Sequence, residues 1–336
     1  MCSDKYDTKV EKITEESLRE AKKYIMNNEL VAFPTETVYG LGAIATSDDA
    51  VKGIYEAKGR PSDNPLIVHV HKDYDINKLV EIEHDYVYKL QKAFLPGPLT
   101  MVYKSRGVVS NVVSCGLESL AIRIPSNPDA QKFLKYVDVP IAAPSANISK
   151  HTSPVTAMHV YNDLKGRLPL ILDGGKCTGG IESTVLDVEY DVPVILRSGL
   201  ITAGMIKSIT GDVKYSDNKP TDKVKAPGMK YRHYCPKCET ALFERNEIEK
   251  AEALYNEYVN SGKKPYYMCD KEIADKLSGN ILYLGATSEE IASNLYYKLL
   301  EGETKADIII AFVVDTHNEI DVGVMNRMGK ACKKRD

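Results

Sequence analysis

The sequence predicts an α/β protein: an open sheet flanked by helices, then a linker, then a second, smaller α/β domain. Three observations predict it. Apolar runs of strand length, such as 30–33, 66–70 and 120–124, end in Pro, Gly or polar turns, and helical spacing of apolar residues appears between several of them. Over 212–236 the pattern dissolves into DVKYSDNKPTDKVKAPGMKYRHYCP, rich in Lys, Asp and Pro and without apolar periodicity. Beyond it, strand-like and helix-like segments alternate regularly, which predicts a Rossmann-like domain. A length of 336 residues suits two domains, here 1–211 and 237–336, joined by 212–236.

Each element has a local reason. Residues 14–29 place Leu18, Ala21 and Ile25 on one helical face. The run 30–33 is a strand that enters the turn Pro34-Thr35-Glu36-Thr37. Ser47 caps a helix through Ala57, with Asp48 and Asp49 in the first turn, where the helix dipole favours negative charge. The basic loop Lys58-Gly59-Arg60 leads to a strand at 66–70, and further strands are expected at 99–103, 120–124 and 140–143. Ser153-Pro154 has the form of an N-cap followed by proline at the first helical position. Strands 170–172, 185–188 and 194–196 complete the sheet, and Thr202 caps a last helix ending near Gly211. In the second domain, strand 241–243 precedes a helix opened by Asn246 and closed by Gly262. Strand 266–269, a short helix, strand 281–284, a helix opened by Ser288 and strand 308–313 follow. No GxGxxG loop is present, so nothing places a dinucleotide there.

Composition narrows the class. Hydrophobic residues make up 43% and charged residues 27%, an ordinary globular balance. The net charge of −3 argues against a general nucleic-acid binder, which would be basic, while leaving room for a local basic cleft. No apolar run approaches the roughly 18 residues that span a bilayer, and the polar start MCSDKYDTKVEK does not resemble a secretory signal. The expected location is the cytoplasm. Seven scattered cysteines fit reduced thiols. Only Cys235 and Cys238 have metal-like or redox-like spacing, with His233 nearby, and a four-ligand zinc site would need further ligands that no second CxxC supplies.

The densest chemistry lies in residues 30–70, LVAFPTETVYGLGAIATSDDAVKGIYEAKGRPSDNPLIVHV, where hydroxyls, two cations, an amide and an imidazole meet at strand ends and loops. PTETVYGLG, KGRP and NPLIVHV together resemble the YrdC/Sua5 family, the threonylcarbamoyl-adenylate synthases of tRNA modification. PGPLT at 96–100, LAIRIP at 120–125, APSAN at 143–147, ESTV at 182–185, ILRSG at 195–199 and APGMKYRHYCP at 226–236 extend the match in chain order. The linker and second domain are similar to the long Sua5 type. The resemblance implies a YrdC-like twisted open sheet whose helices form a concave cleft.

It also implies a nucleotidyltransferase that makes threonylcarbamoyl-AMP and pyrophosphate from L-threonine, bicarbonate or CO2, and ATP, for the modification of tRNA position 37. Magnesium would arrive with the ATP phosphates, with no protein ligand assigned and no organic cofactor. No covalent nucleophile is needed: a carbamate oxygen attacks the α-phosphorus, and the protein aligns groups and neutralises charge, a task implied for Lys58 and Arg60. Carried over residue by residue, the threonine site falls on Thr37, His69, Arg123, Ala143 and Ser183. The ATP site falls on Lys58, Arg60, Asn64, Ser119, Ser145, Asn147, Ser153, Arg197, Tyr231 and His233. Tyr231 and His233 match the family segment that folds back over the active site. Partners that carry the group to tRNA are implied, weak RNA contact is left open, and no membrane is involved.

Taken singly, each residue has a plainer explanation. His69 lies amid Leu66, Ile67, Val68 and Val70 and reads alone as a hydrogen-bonded core histidine. Lys58 and Arg60 read alone as a solvated loop, and Thr35 and Thr37 as turn residues. Two other functions compete: an RNA-binding protein that shares the fold, and a carbamoyl-transfer module. The acidic balance and the lack of an RNP, KH or zinc-knuckle pattern oppose the first. The lack of acylphosphatase-like and zinc-finger segments opposes the second.

Overall fold

A computed structural model describes residues 4–216, 234–315 and 318–334. It divides into two compact units. The first holds the described residues up to 149, 154–178 and 182–216; the second holds 150–153, 179–181 and those from 234 onward.

The first unit is built on a mixed sheet. In spatial order the strands are Lys9–Lys12, Leu170–Asp173, Val31–Phe33, Gly40–Ile44, Ile141–Ala142, Ile67–His69, Ser119–Arg123, Leu99–Ser105, Thr184–Asp187, Val194–Arg197 and Lys214–Tyr215. Val80–Glu81 adds beside Leu99–Ser105. Helix Glu15–Met26 buries Leu18, Ala21 and Ile25, and Pro128–Val137 buries Phe133 and Leu134, against a core that includes Val31, Phe33 and Leu170. Helix Asp48–Lys58 is capped by the Ser47 side chain and stopped by Gly59 at φ 58°, as its sequence predicts.

Two glycines let the first hairpin close. A Cβ on Gly42 would lie 2.9 Å from Ile141 Cγ2 and 3.2 Å from the Val31 carbonyl, and one on Gly40 would lie 3.1 Å from the Phe33 ring. The strand Gly40–Ile44 escaped the sequence reading because its small residues pack backbone to ring rather than through alternating apolar side chains.

The second unit is an all-parallel sheet in the order Glu239–Phe243, Ile308–Phe312, Pro265–Cys269, Ile281–Tyr283. Helix Ile248–Asn260 packs Leu254, Tyr255 and Tyr258 with Phe243, Tyr267 and Ile310 on one face. Helix Ser288–Lys305 lies on the other, where a Cβ on Gly302 would meet Ile309 and Leu282 at 2.7 Å. Helices on both faces of a parallel sheet give the expected Rossmann-like arrangement.

Four local expectations are corrected. Ser153-Pro154 does not open a helix; Thr156 caps Ala157–Leu164, because the Pro154 carbonyl accepts from Tyr39 N at 2.9 Å and holds the segment extended. Asn246 does not cap either, since Glu247 occupies the N-cap of Ile248–Asn260 without a side-chain bond. Thr287, not Ser288, caps Ser288–Lys305, in a capping box with Glu290. The stretch from 212 contains the short strand Lys214–Tyr215, paired with Val194 and Ile195, which lysine and tyrosine on an exposed edge did not announce.

The glycine geometry gives a paired test. Gly42→Ala should lower unfolding free energy by about 1–3 kcal/mol through overpacking. Gly53→Ala, whose Cβ meets only Leu30 Cδ2 at 3.7 Å inside a helix, should raise it by about 0.5–1 kcal/mol. Urea denaturation of both variants checks the signs.

Candidate active site

The strands Ile67–His69 and Ser119–Arg123 run parallel, with His69 opposite Arg123, so both side chains arrive at the carboxyl ends. Leu99–Ser105 is antiparallel to the second of these and sets Thr100 opposite Arg123, Val102 opposite Ala121 and Lys104 opposite Ser119. Residues two apart on a strand share a face. One face therefore carries Ser119, Ala121 and Arg123, with Ile67 and His69 beside them. Ile67, Val102, Ala121 and Val185 form a small apolar cluster there, separate from the main core. Arg123 lies four residues beyond Ser119, about 13 Å along the strand at the usual rise, so this strip has two polar ends.

At the first end, Arg123 is 4% exposed and donates from Nη1 to Thr37 Oγ1 at 2.8 Å. Thr35 Oγ1 donates to the Val38 carbonyl at 2.6 Å and lies 2.9 Å from Thr37 Oγ1. With its own proton committed, Thr35 accepts from Thr37, and Thr37 is left with a lone pair to offer and no proton. His69 Nδ1 lies 3.2 Å from the Ile67 carbonyl, which makes it the donor and leaves Nε2 an acceptor. Burial, then the Arg123 charge, pushes the His69 pKa down to about 3, so the ring is neutral. Ser183 joins this end: its Oγ lies 2.8 Å from Thr100 Oγ1, and Arg197 donates to the Ser183 carbonyl at 3.1 and 3.0 Å and to its Oγ at 3.2 Å. Gly199 permits the tight approach, since a Cβ there would lie 2.5 Å from Thr184 N. The Ala143 amide donates to the Ile67 carbonyl at 2.9 Å.

At the other end, Lys58 closes its helix and is buried. Nζ donates to the Ser145 carbonyl, to the Asn147 carbonyl at 2.6 Å and to Asn147 Oδ1 at 3.4 Å. These bonds tie down the 145–147 loop, whose Ser145 hydroxyl donates to Asn147 Oδ1. Burial, then the neighbouring Arg60, pushes the Lys58 pKa well below its ordinary value, against Asp163, which raises it. Arg60 is half-buried, lies over the Tyr55 ring and donates to the Asn64 carbonyl at 3.0 Å. Asn64 is fully buried, yet neither its Nδ2 nor its Oδ1 has a hydrogen-bond partner.

Thirteen of the fifteen predicted residues are described; Tyr231 and His233 lie outside the described residues. Thr37, His69, Arg123, Ser183 and Arg197 gather at one end of the strip; Asn64, which precedes Ile67–His69, and Ser145, which follows the antiparallel Ile141–Ala142, lie toward the other with Lys58, Arg60 and Asn147. Ser119 starts the strand that Arg123 ends, and Ser153 belongs to the second unit.

Comparison with known proteins supplies the relationship. A family model described as "Telomere recombination", covering Sua5, YciO and YrdC proteins, matches residues 23–199. A second, described as "Threonylcarbamoyl-AMP synthase, C-terminal domain", matches 201–332. The chain belongs to the Sua5/YciO/YrdC family. A Pyrococcus abyssi relative named threonylcarbamoyl-AMP synthase is 42% identical over 333 residues, 97% of this chain and 96% of that one. A Bacillus subtilis relative of the same name is 41% identical, covering 95% and 93%. The solved structure of P. abyssi Sua5 complexed with L-threonine superposes with a TM-score of 0.86 at 39% identity, covering 98% and 99%.

Sequence reasoning passed over Glu36 and Thr100. Glu36 is 8% exposed, with Oε1 2.9 Å from Arg123 Nη2. Thr100 stood inside the quoted PGPLT, and its place opposite Arg123 follows only once the antiparallel register is known. Among the described residues no group of three or more His, Cys, Asp or Glu could hold a metal ion. Cys235 and Cys238 are half-buried, and burial pushes the Cys238 thiol up to about 11.

The neutral histidine has a consequence for acid stability. Its folded pKa of about 3 lies below the ordinary 6.5, so the unfolded chain binds the proton first. Stability is complete above 6.5 and is lost as pH falls from there toward 3. At pH 5.5 the loss from this group is about 1.4 kcal/mol. His69→Gln should flatten the stability profile between pH 7 and 5.5 by that amount, as read by urea denaturation at each pH.

Proposed function

We propose that this chain is an L-threonylcarbamoyladenylate synthase, joining L-threonine, bicarbonate or CO2, and ATP into threonylcarbamoyl-AMP and pyrophosphate for the N6-threonylcarbamoyladenosine of tRNA position 37. One observation carries it: buried polar atoms lack partners at both ends of a single strip. Arg123 Nε lacks a hydrogen-bond partner at one end, and both amide atoms of Asn64 lack them at the other. A buried polar group left unpaired costs about 1–3 kcal/mol, so each end favours a polar ligand. A bipartite ligand, amino acid at one end and nucleotide at the other, satisfies both.

The amino-acid end supports the substrate by its polarity. Arg123 offers donors for a carboxylate. Thr37 Oγ1 and His69 Nε2 offer acceptors for an amine and a hydroxyl. Ala143, through its backbone, and Ser183 complete this end. Arg60, Asn64, Ser119, Ser145, Asn147 and Ser153 serve the nucleotide, with Tyr231 and His233 of the linker covering it; Arg197, which holds Ser183 at the amino-acid end, serves the nucleotide's phosphate where the two parts of the ligand join. Lys58 holds the 145–147 loop and Arg60 meets phosphate. Magnesium would come with the ATP phosphates and would supply charge neutralisation there, with no protein ligand assigned to it. In this assignment 1–211 is the catalytic domain, 212–236 a linker that folds over the site and 237–336 an accessory domain. No helix of the described residues is long and apolar enough to cross a membrane. The proposed work on tRNA supports a cytoplasmic location, with the product handed to partners that modify tRNA.

Pyrophosphate release should require L-threonine and bicarbonate together. Serine should react about ten- to two-hundredfold less well for want of one methyl group, and valine should be poor because acceptors such as His69 would lose their donor. Release without threonine, or equal rates with all three amino acids in degassed and bicarbonate-supplied buffer, sinks the proposal.

Asn64 separates binding from folding. Asn64→Leu removes an unpaired buried amide and should leave the free protein as stable or more stable by about 1–3 kcal/mol, while weakening ATP binding at least tenfold. Thermal unfolding and ATP titration of the same preparation read both quantities.

A further inference from the structure

Glu36 and Arg123 form a buried pair of opposite charge whose bonding is incomplete. Arg123 Nη2 and Glu36 Oε1 form an ion pair at 2.9 Å, and Arg123 Nε makes no hydrogen bond. Glu36 Oε2 accepts weakly from Asn127 N at 3.4 Å. Burial pushes the Glu36 carboxyl up, but the Arg123 charge and backbone amides outweigh it and hold the group below its ordinary value, so it is ionised at neutral pH. The pair is therefore electrically neutral before any ligand arrives.

A neutral pair attracts a bare carboxylate less than Arg123 alone would, and the other cation at this end, Arg197, spends three bonds on Ser183. Such an anion would bring extra negative charge against a pair that is itself buried, which is costly. A zwitterion brings both signs: its carboxylate fits the open donor Nε and the remaining proton of Nη2, and its ammonium fits the lone pairs of the Glu36 carboxylate that the ion pair leaves over. We propose that Glu36 is a specificity-determining residue of the amino-acid subsite, making it selective for zwitterions and rejecting carboxylates that lack a cationic amine. The inference rests on the proposed function, in which the occupant of this end is an amino acid. It adds a role for a residue outside the threonine contacts assigned above.

The experiment is calorimetric titration of the full-length protein with L-threonine and with 3-hydroxybutyrate, which is threonine without its α-amino group. Wild type should bind threonine at least tenfold more tightly than 3-hydroxybutyrate. Glu36→Gln keeps the shape and removes the charge. It should reduce that ratio tenfold or more, with threonine weaker and 3-hydroxybutyrate unchanged or tighter, a gain that mere damage to the pocket would not produce. Glu36→Asp, with the charge restored, should recover part of the selectivity. Equal affinities in wild type overturn the proposal without any variant, which covers the case of a Glu36→Gln protein that fails to fold. A ratio in folded Glu36→Gln within twofold of wild type overturns it as well. If wild type binds no threonine, the functional assignment itself fails and this inference falls with it.

Discussion

A guanidinium buried to 4% exposure at the end of a strand must be compensated locally, and much of the site follows from how Arg123 is compensated. Nη1 fixes Thr37, which fixes the turn after Val31–Phe33. Glu36 neutralises the charge. The same charge adds to burial in keeping His69, its neighbour across the parallel register, unprotonated. The antiparallel neighbour brings Thr100 alongside, and through it Ser183 and Arg197. Groups separated by up to 160 positions in the chain thus depend on one side chain and on the registers of three strands.

The elements most legible in the sequence were those with a local signature. Helix Asp48–Lys58 was readable from Ser47, two aspartates and Gly59, and the strands around Val68 and Ile122 from continuous apolar runs. What stayed hidden depended on partners distant in sequence. Ser153-Pro154 has the chemistry of a helix start, and only the bond from Tyr39 to the Pro154 carbonyl overrides it. Gly40–Ile44 is a strand by virtue of the ring and carbonyl packed against its glycines.

The candidate site shows the same division. Its motifs were legible because loops and strand ends concentrate polar residues that a core has no use for. Their roles were less so. Lys58 reads as a ligand-binding cation, but its donors are spent on the Ser145 and Asn147 carbonyls. Glu36 reads as a turn residue, and its importance appears only when Arg123, 87 positions later, is seen 2.9 Å away.

The hydroxyl chain from Thr37 through Thr35 to the Val38 carbonyl has one further consequence. Its protons all point one way, from the site into the turn. A phosphate or carboxylate oxygen brought against Thr37 Oγ1 would meet lone pair against lone pair. The turn therefore favours a donor-bearing group against Thr37 and leaves an anionic group to Arg123 beside it. A bifunctional molecule lying along this face is thereby given a head and a tail.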